Sequence, residues 1–106
     1  MKMTISHEYT TVMGRLHGGI IAALADTAMG WSVLSLGRIS VTVDMTLNYF
    51  VPVFEPTELT AKGYVIHAGR NTVVAEAELF ANNDKLVAKS RGTFFVHSQT
   101  EMIGAY

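Results

Sequence analysis

From Leu16 to Gly37 the chain reads LHGGIIAALADTAMGWSVLSLG, with apolar and small residues on nearly every side. That length and content predict one helix, buried on most sides and stopped at Gly37. The period then changes. Ile39, Val41, Val43, Met45, Leu47 and Tyr49 alternate with Ser40, Thr42, Asp44, Thr46 and Asn48, which predicts a long strand with one apolar and one polar face. Pro52 and Pro56 bracket a turn. Leu59–His67 reads as a second strand, with Tyr64 and Ile66 on one face and Ala61, Gly63 and Val65 on the other. Thr72–Ala81 and Leu86–His97 read as two more, and the short turn Asn82-Asn83-Asp84-Lys85 between them requires antiparallel pairing. Met1–Ser6 alternates weakly and is expected as a fifth, edge strand, and Ser98–Tyr106 as a frayed end. No helix-length connection follows residue 38, so a doubly wound parallel sheet is excluded. The expected class is α+β: one long central helix wrapped by a curled antiparallel meander of about five strands. The long strand Arg38–Phe50 carries nothing to blunt it before Pro52 and is the expected edge for pairing with a second copy.

Composition sharpens that picture. At 106 residues the chain is expected to form a single domain, and 49% hydrophobic against 16% charged residues is more apolar surface than a small core hides. A second chain or a ligand is expected to cover the rest. The absence of cysteine rules out a disulfide framework, a thiolate metal site and a cysteine nucleophile. Net charge −1 and scattered cations argue against nucleic acid. Asp26 in the middle of the apolar run argues against a membrane span, and residues 1–11 lack a signal core, so a cytoplasmic location is expected. The four histidines have no metal-ligand spacing, and no metal is expected.

Asp26 is the leading candidate for chemistry. Its helical neighbours at positions 22, 23, 29 and 30 are Ala, Ala, Met and Gly, so it has no intrahelical ion-pair partner. Such a carboxylate either bonds a hydroxyl such as Thr27 or Ser32 for packing, or serves as a general base or nucleophile in a sequestered pocket. His17-Gly18-Gly19 opens the same helix, where first-turn amides and the helix dipole suit a developing oxyanion. At about 1.5 Å of rise per residue, Gly19 and Asp26 lie roughly 10 Å apart along the axis. One reacting carbonyl must lie near ~3 Å from both its donor and its attacking group. Gly19 of one chain is therefore expected to face Asp26 of a two-fold mate. His17 lies about half a rotation from Asp26, which excludes a dyad within one chain. Lys89 and Arg91 are expected as solvated cations, and Trp31, Tyr49 and Phe50 as core or dimer seam.

These segments, GRLHGGIIAALADTAMG, SVTVDMTLNYFVPV, VIHAGRNTVVAEAELF and KLVAKSRGTFFV, closely resemble the hotdog-fold acyl-CoA thioesterases of the phenylacetate-degradation (PaaI) family. The resemblance implies a hotdog fold and hydrolysis of an aryl or medium-chain acyl-CoA, with CoA as part of the substrate, no separate cofactor and no metal. It implies a dimer or tetramer. It places the attacking carboxylate at Asp26, the oxyanion amides at Gly18 and Gly19 beside His17, and a water-orienting hydroxyl at Thr42. The H-x-GR loop, His67, Gly69 and Arg70 with Asn71 after it, falls near the CoA phosphates. Many members carry Asn or Gln six residues before the motif histidine, where this chain has the shorter Thr11. Most also have a helix and strand ahead of the region matching Met1–Ser6, which residues 1–106 lack. A non-catalytic acyl-CoA-binding protein or a structural hotdog module is the alternative expectation.

Overall fold

The computed structural model describes residues 2–5, 18–54, 57–82 and 84–98. The expectations for Thr11, His17 and residues 99–106 lie outside them. Five strands and one helix follow in the order β1 (Lys2–Ile5), α1 (Gly18–Leu34), β2 (Ile39–Tyr49), β3 (Thr57–Ala68), β4 (Thr72–Ala81) and β5 (Lys85–Ser98). The predicted helix stop is present. Gly37 takes a left-handed φ of 78°, and its amide donates to the Leu34 carbonyl at 2.8 Å. Such a φ favours glycine.

The helix is buried on one stripe rather than on most sides. Ile21, Leu24, Ala25, Ala28, Met29 and Val33 face the sheet, whereas Ala23, Thr27 and Trp31 face outward. Trp31 is 60% exposed. One sheet layer covers only one side of a helix, and a uniformly apolar sequence does not reveal which side that is. Opposite Met29 lie Leu59, Ala61, Val73, Ala75, Ala77, Leu79, Val87 and Phe94, all buried. The small residues let α1 sit close. An ideal Cβ on Gly63 would come within 2.3 Å of the Ala28 carbonyl oxygen, so only glycine fits where α1 crosses β3. The buried Ser90 hydroxyl donates to Met29 Sδ at 3.4 Å.

Two features of the expected sheet are corrected. Its order is β1-β3-β4-β5-β2, with every neighbouring pair antiparallel. The strands β3, β4 and β5 form a meander, but β2 pairs with β5 instead of β3, and the segment after Tyr49 carries the chain across to the other side. The sheet is also open rather than curled around the helix. Four long strands and the four-residue β1 form one layer, with β1 and β2 as separate edges. Counted along the sheet those edges are four strand spacings apart, and no ladder joins them. The expectation that β2 supplies an edge agrees with this order. The turn between β4 and β5 falls where predicted, and Asn82 enters it at φ 52°, a conformation asparagine tolerates better than most residues.

Two irregularities in β2 decide where the site forms. Its register against β5 shifts between Ile39 and Ser40 and again between Thr42 and Asp44. A bulge adds a residue to one strand and so reverses which face the following side chains take. Thr42 therefore pairs with the buried Phe94 and points toward α1, while Val41 pairs with the exposed Phe95 on the outer face. Val41 and Val43 are solvent-exposed, contrary to the single apolar face expected from strict alternation. Past the second shift, Met45 and Leu47 return to the inner face and pack against the core.

Candidate active site

The carboxylate of α1 and the hydroxyl of β2 meet across the gap between helix and sheet edge. Thr42 Oγ1 donates to Asp26 Oδ1 at 2.8 Å. Asp26 is half-buried, not deeply buried. The hydroxyls suggested as packing partners go elsewhere: Thr27 donates to the Ala23 carbonyl at 2.8 Å, and Ser32 to the Met29 carbonyl at 2.6 Å. Among the described residues no cation pairs with Asp26.

Asp26 and Thr42 open onto a cavity of about 540 Å³. Trp31, Leu34, Ile39 and Phe94 give it apolar walls, and Ser40 and Arg38 add polar atoms. A carboxylate beside a hydroxyl at the edge of an apolar chamber can hold and deprotonate one water next to a hydrophobic group. A larger cleft of about 700 Å³ lies on the other flank of α1, against β3, and contains no carboxylate.

The remaining predicted residues lie apart from this cavity. Gly18 and Gly19 are exposed at the start of α1, outside the lining. The Gly18 carbonyl accepts a hydrogen bond from the Tyr49 hydroxyl at 2.8 Å, and the space around Gly19 Cα is open. His67, Arg70 and Asn71 are exposed in and beside the turn joining β3 to β4. That turn is fixed by the Gly69 amide on the Thr72 carbonyl and the Val96 amide on the Asn71 carbonyl, both at 2.8 Å. Sequence reasoning missed Arg38. It lines the Asp26 cavity, and its guanidinium donates to the Gly69 carbonyl, linking cavity and turn. A lone cation between a helix-stopping glycine and a strand has no pattern that would have marked it.

The outer face of the sheet holds a second acidic cluster, which corrects the reading of Lys89 and Arg91 as simply solvated. Glu76 Oε2 accepts Arg91 Nε at 2.8 Å and a terminal guanidinium nitrogen at 2.6 Å, while Oε1 accepts the Tyr64 hydroxyl at 3.2 Å and lies 3.7 Å from Lys89 Nζ. The Arg91 hydrogen bonds hold the Glu76 carboxyl below the usual range, and burial raises the Tyr64 phenol, aided by its bond to Glu76.

The fold of one helix over an antiparallel sheet is shared with thioesterases of known structure. A hypothetical thioesterase protein of Streptococcus pneumoniae, solved with coenzyme A, superposes with a TM-score of 0.89 at 31% identity, covering 92% of this chain and 77% of that one. Variants of that protein with an aspartate and a threonine sixteen positions apart each changed to alanine have also been solved. A Streptococcus mutans protein bound to acetyl CoA gives a TM-score of 0.89 at 28% identity, covering 92% and 79%. The acyl-coenzyme A thioesterase PaaI of Escherichia coli is 33% identical over 90 residues, 85% of this chain and 64% of that protein. Residues 13–88 match the thioesterase superfamily. The chain belongs to that superfamily, as a hotdog-fold member related to the PaaI-like acyl-CoA thioesterases. It spans about two thirds of the length of the curated relatives it matches, 62–67% for three of them. No helix among the described residues is long and apolar enough to cross a membrane.

Proposed function

We propose that the chain hydrolyses acyl-CoA thioesters, releasing a free acid and CoA. The Asp26–Thr42 hydrogen bond at the mouth of an apolar cavity carries this reading. Asp26 and Thr42 stand sixteen residues apart, the same separation as the aspartate and threonine chosen for replacement in the Streptococcus pneumoniae relative. Thr42 steers the Asp26 carboxylate and shares the bound water. Asp26 takes a proton as the water oxygen bonds to the thioester carbon. The tetrahedral intermediate then expels the sulfur, and Asp26 returns the proton to the CoA thiolate. Direct attack by Asp26 on the carbonyl is the other route open to it. Trp31, Leu34, Ile39 and Phe94 suit an aryl or medium-chain acyl group.

The oxyanion donors in this reading are the Gly18 and Gly19 amides of a second copy, with His17 and Thr11 at the same composite site. Gly19 is too far along α1 to serve the carbonyl at Asp26 of its own chain. Support for two copies comes from β2, a free sheet edge with exposed Val41, Val43 and Phe50 in and beside it. His67, Gly69, Arg70 and Asn71 are assigned to the CoA phosphates.

A panel of aryl and straight-chain acyl-CoAs, followed by thiol release, tests the reaction. Turnover that disappears in Asp26→Asn supports it; tight acyl-CoA binding without release by the unaltered protein replaces it with a binding role. Mixing Asp26→Ala with Gly19→Pro subunits tests the composite site. Recovery of activity is expected, and none would place both groups elsewhere.

A further inference from the structure

Arg38 has no part in the reaction just described, yet it stands in the same cavity. It is half-buried, one of its nitrogens donates to the Gly69 carbonyl, and among the described residues no carboxylate pairs with it. A guanidinium keeps its charge at any ordinary pH and offers five donors in a fixed plane, well suited to phosphate or carboxylate. Removing a cation from water without a counter-charge costs free energy that an incoming anion can offset. Lys89 and Arg91 show the contrast, since both already face Glu76.

Position adds a constraint. Asp26 and Thr42 meet at one end of the chamber, beside Phe94; along α1 the lining continues through Trp31 to Leu34, and Arg38 stands four residues before Thr42, immediately ahead of β2, toward the Leu34 end. Eight residues of helix from Asp26 to Leu34 span about 12 Å. A ligand that fits has its reacting carbonyl at Asp26, a neutral middle section and an anion at the far end. The bond to Gly69 ties Arg38 to the turn that carries Arg70, so a second guanidinium belongs to the same end.

We propose that Arg38 is the anion-recognising residue of this cavity, selecting substrates with a phosphate or carboxylate about 12 Å from the thioester carbon. The proposal rests on the reading that Asp26 marks that carbon. Two parts of a substrate can supply the anion: the phosphates of CoA, or a carboxylate ending a dicarboxylic acyl chain.

The test compares the unaltered protein, Arg38→Gln and Arg38→Lys on benzoyl-CoA, sebacyl-CoA, whose ten-carbon diacid chain is long enough to carry its free carboxylate to the far end, and the N-acetylcysteamine thioesters of the same two acids, which lack phosphate. Arg38→Gln is expected to raise KM about tenfold or more wherever the recognised anion is present, with kcat within about twofold, and Arg38→Lys to recover part of the loss. A rise on both CoA esters and neither cysteamine ester identifies the phosphates. A rise on both sebacyl esters alone identifies the acyl carboxylate. An equal rise on neutral benzoyl cysteamine, no rise on any substrate, or a change of assembly state on size exclusion that accounts for the loss would overturn the proposal.

Binding separates this outcome from that of the proposed reaction. Trp31 is the single tryptophan of the chain and lines the cavity, so its fluorescence reports titration with free CoA or sebacate. Binding weakened about tenfold in Arg38→Gln, in a protein that hydrolyses nothing, keeps the assignment of Arg38 and removes the reaction. Hydrolysis with KM and binding indifferent to Arg38 does the reverse.

Discussion

Asp26 and Glu76 stand on opposite faces of one sheet, and their surroundings are opposite too. Glu76 is the more buried, at 7% exposure, and both of its oxygens are engaged by Arg91, Tyr64 and Lys89. Asp26 is half-buried, accepts one hydroxyl and borders a cavity. Burial alone therefore does not mark a reactive carboxylate. A buried acid with every lone pair committed is held in place, whereas an acid with spare acceptor capacity beside an empty volume is available to a substrate. On the proposed reading, one small domain separates stability from chemistry: the charged network pins three strands from outside, and the cavity beside Asp26 is left for the ligand.

The sharpest way to break that contrast is to neutralise each acid in turn. Asp26→Asn is expected to lower kcat by about 10²–10⁴-fold with little change in melting temperature. Glu76→Gln should leave thioester turnover near that of the unaltered protein and cost about 1–3 kcal/mol in urea unfolding, since it weakens hydrogen bonds to a charged group. Activity lost with Glu76 and retained without Asp26 would reverse the assignment of roles. Thr42→Val, nearly the same in shape, is expected to reduce kcat about tenfold, the loss of one hydrogen bond of about 1.4 kcal/mol. A full-rate valine variant would show that Thr42 does not steer Asp26.

The smallest effect concerns pH. The folded-state pKa of Glu76 lies below its ordinary value of 4.5, so the unfolded chain takes up the proton first as pH falls. Its stabilising contribution is whole above that value and shrinks as pH drops through the depressed folded pKa. Urea midpoints of the unaltered protein and Glu76→Gln should accordingly stay apart at pH 7 and converge below about pH 4.5. A gap that stays constant down to pH 3 would mean that the Arg91 pairing does not hold the carboxyl down.

Much of the architecture was legible because it is local. Gly37 as a stop, the strand spans and the Asn82 turn follow from period and turn chemistry within a few residues. The pairing of β2 with β5 was not, since strand order depends on contacts distant in sequence. The inward turn of Thr42 was hidden for a related reason. Strict alternation assigns Thr42 to the same polar face as Asp44, and only the register against Phe94 and Thr93 shows that a bulge separates them. The resemblance to a family singled out Thr42 where periodicity pointed it away from the helix. Asp26 stood out as the one charge in an apolar run, but its partner could not be named from α1 alone. Glu76 drew no notice because alternation among alanines looks like an ordinary solvated face, and the Arg91 and Lys89 that satisfy it come from another strand.

The bulge at Val43 also works as a counting device. Removing Val43 would leave Thr42 opposite Phe94 and Asp44 opposite Thr93 in an unbroken alternation, whereas drawing Val43 into the ladder would force either Thr42 or Met45 to exchange faces. The strand would still have a partner in β5, and the rest of the core would still have its helix. A one-residue deletion at the bulge therefore leaves both the hydroxyl beside Asp26 and the core side chains in place, whereas the same deletion within the evenly paired stretch from Met45 to Tyr49 would turn the residues on one side of it to the other face.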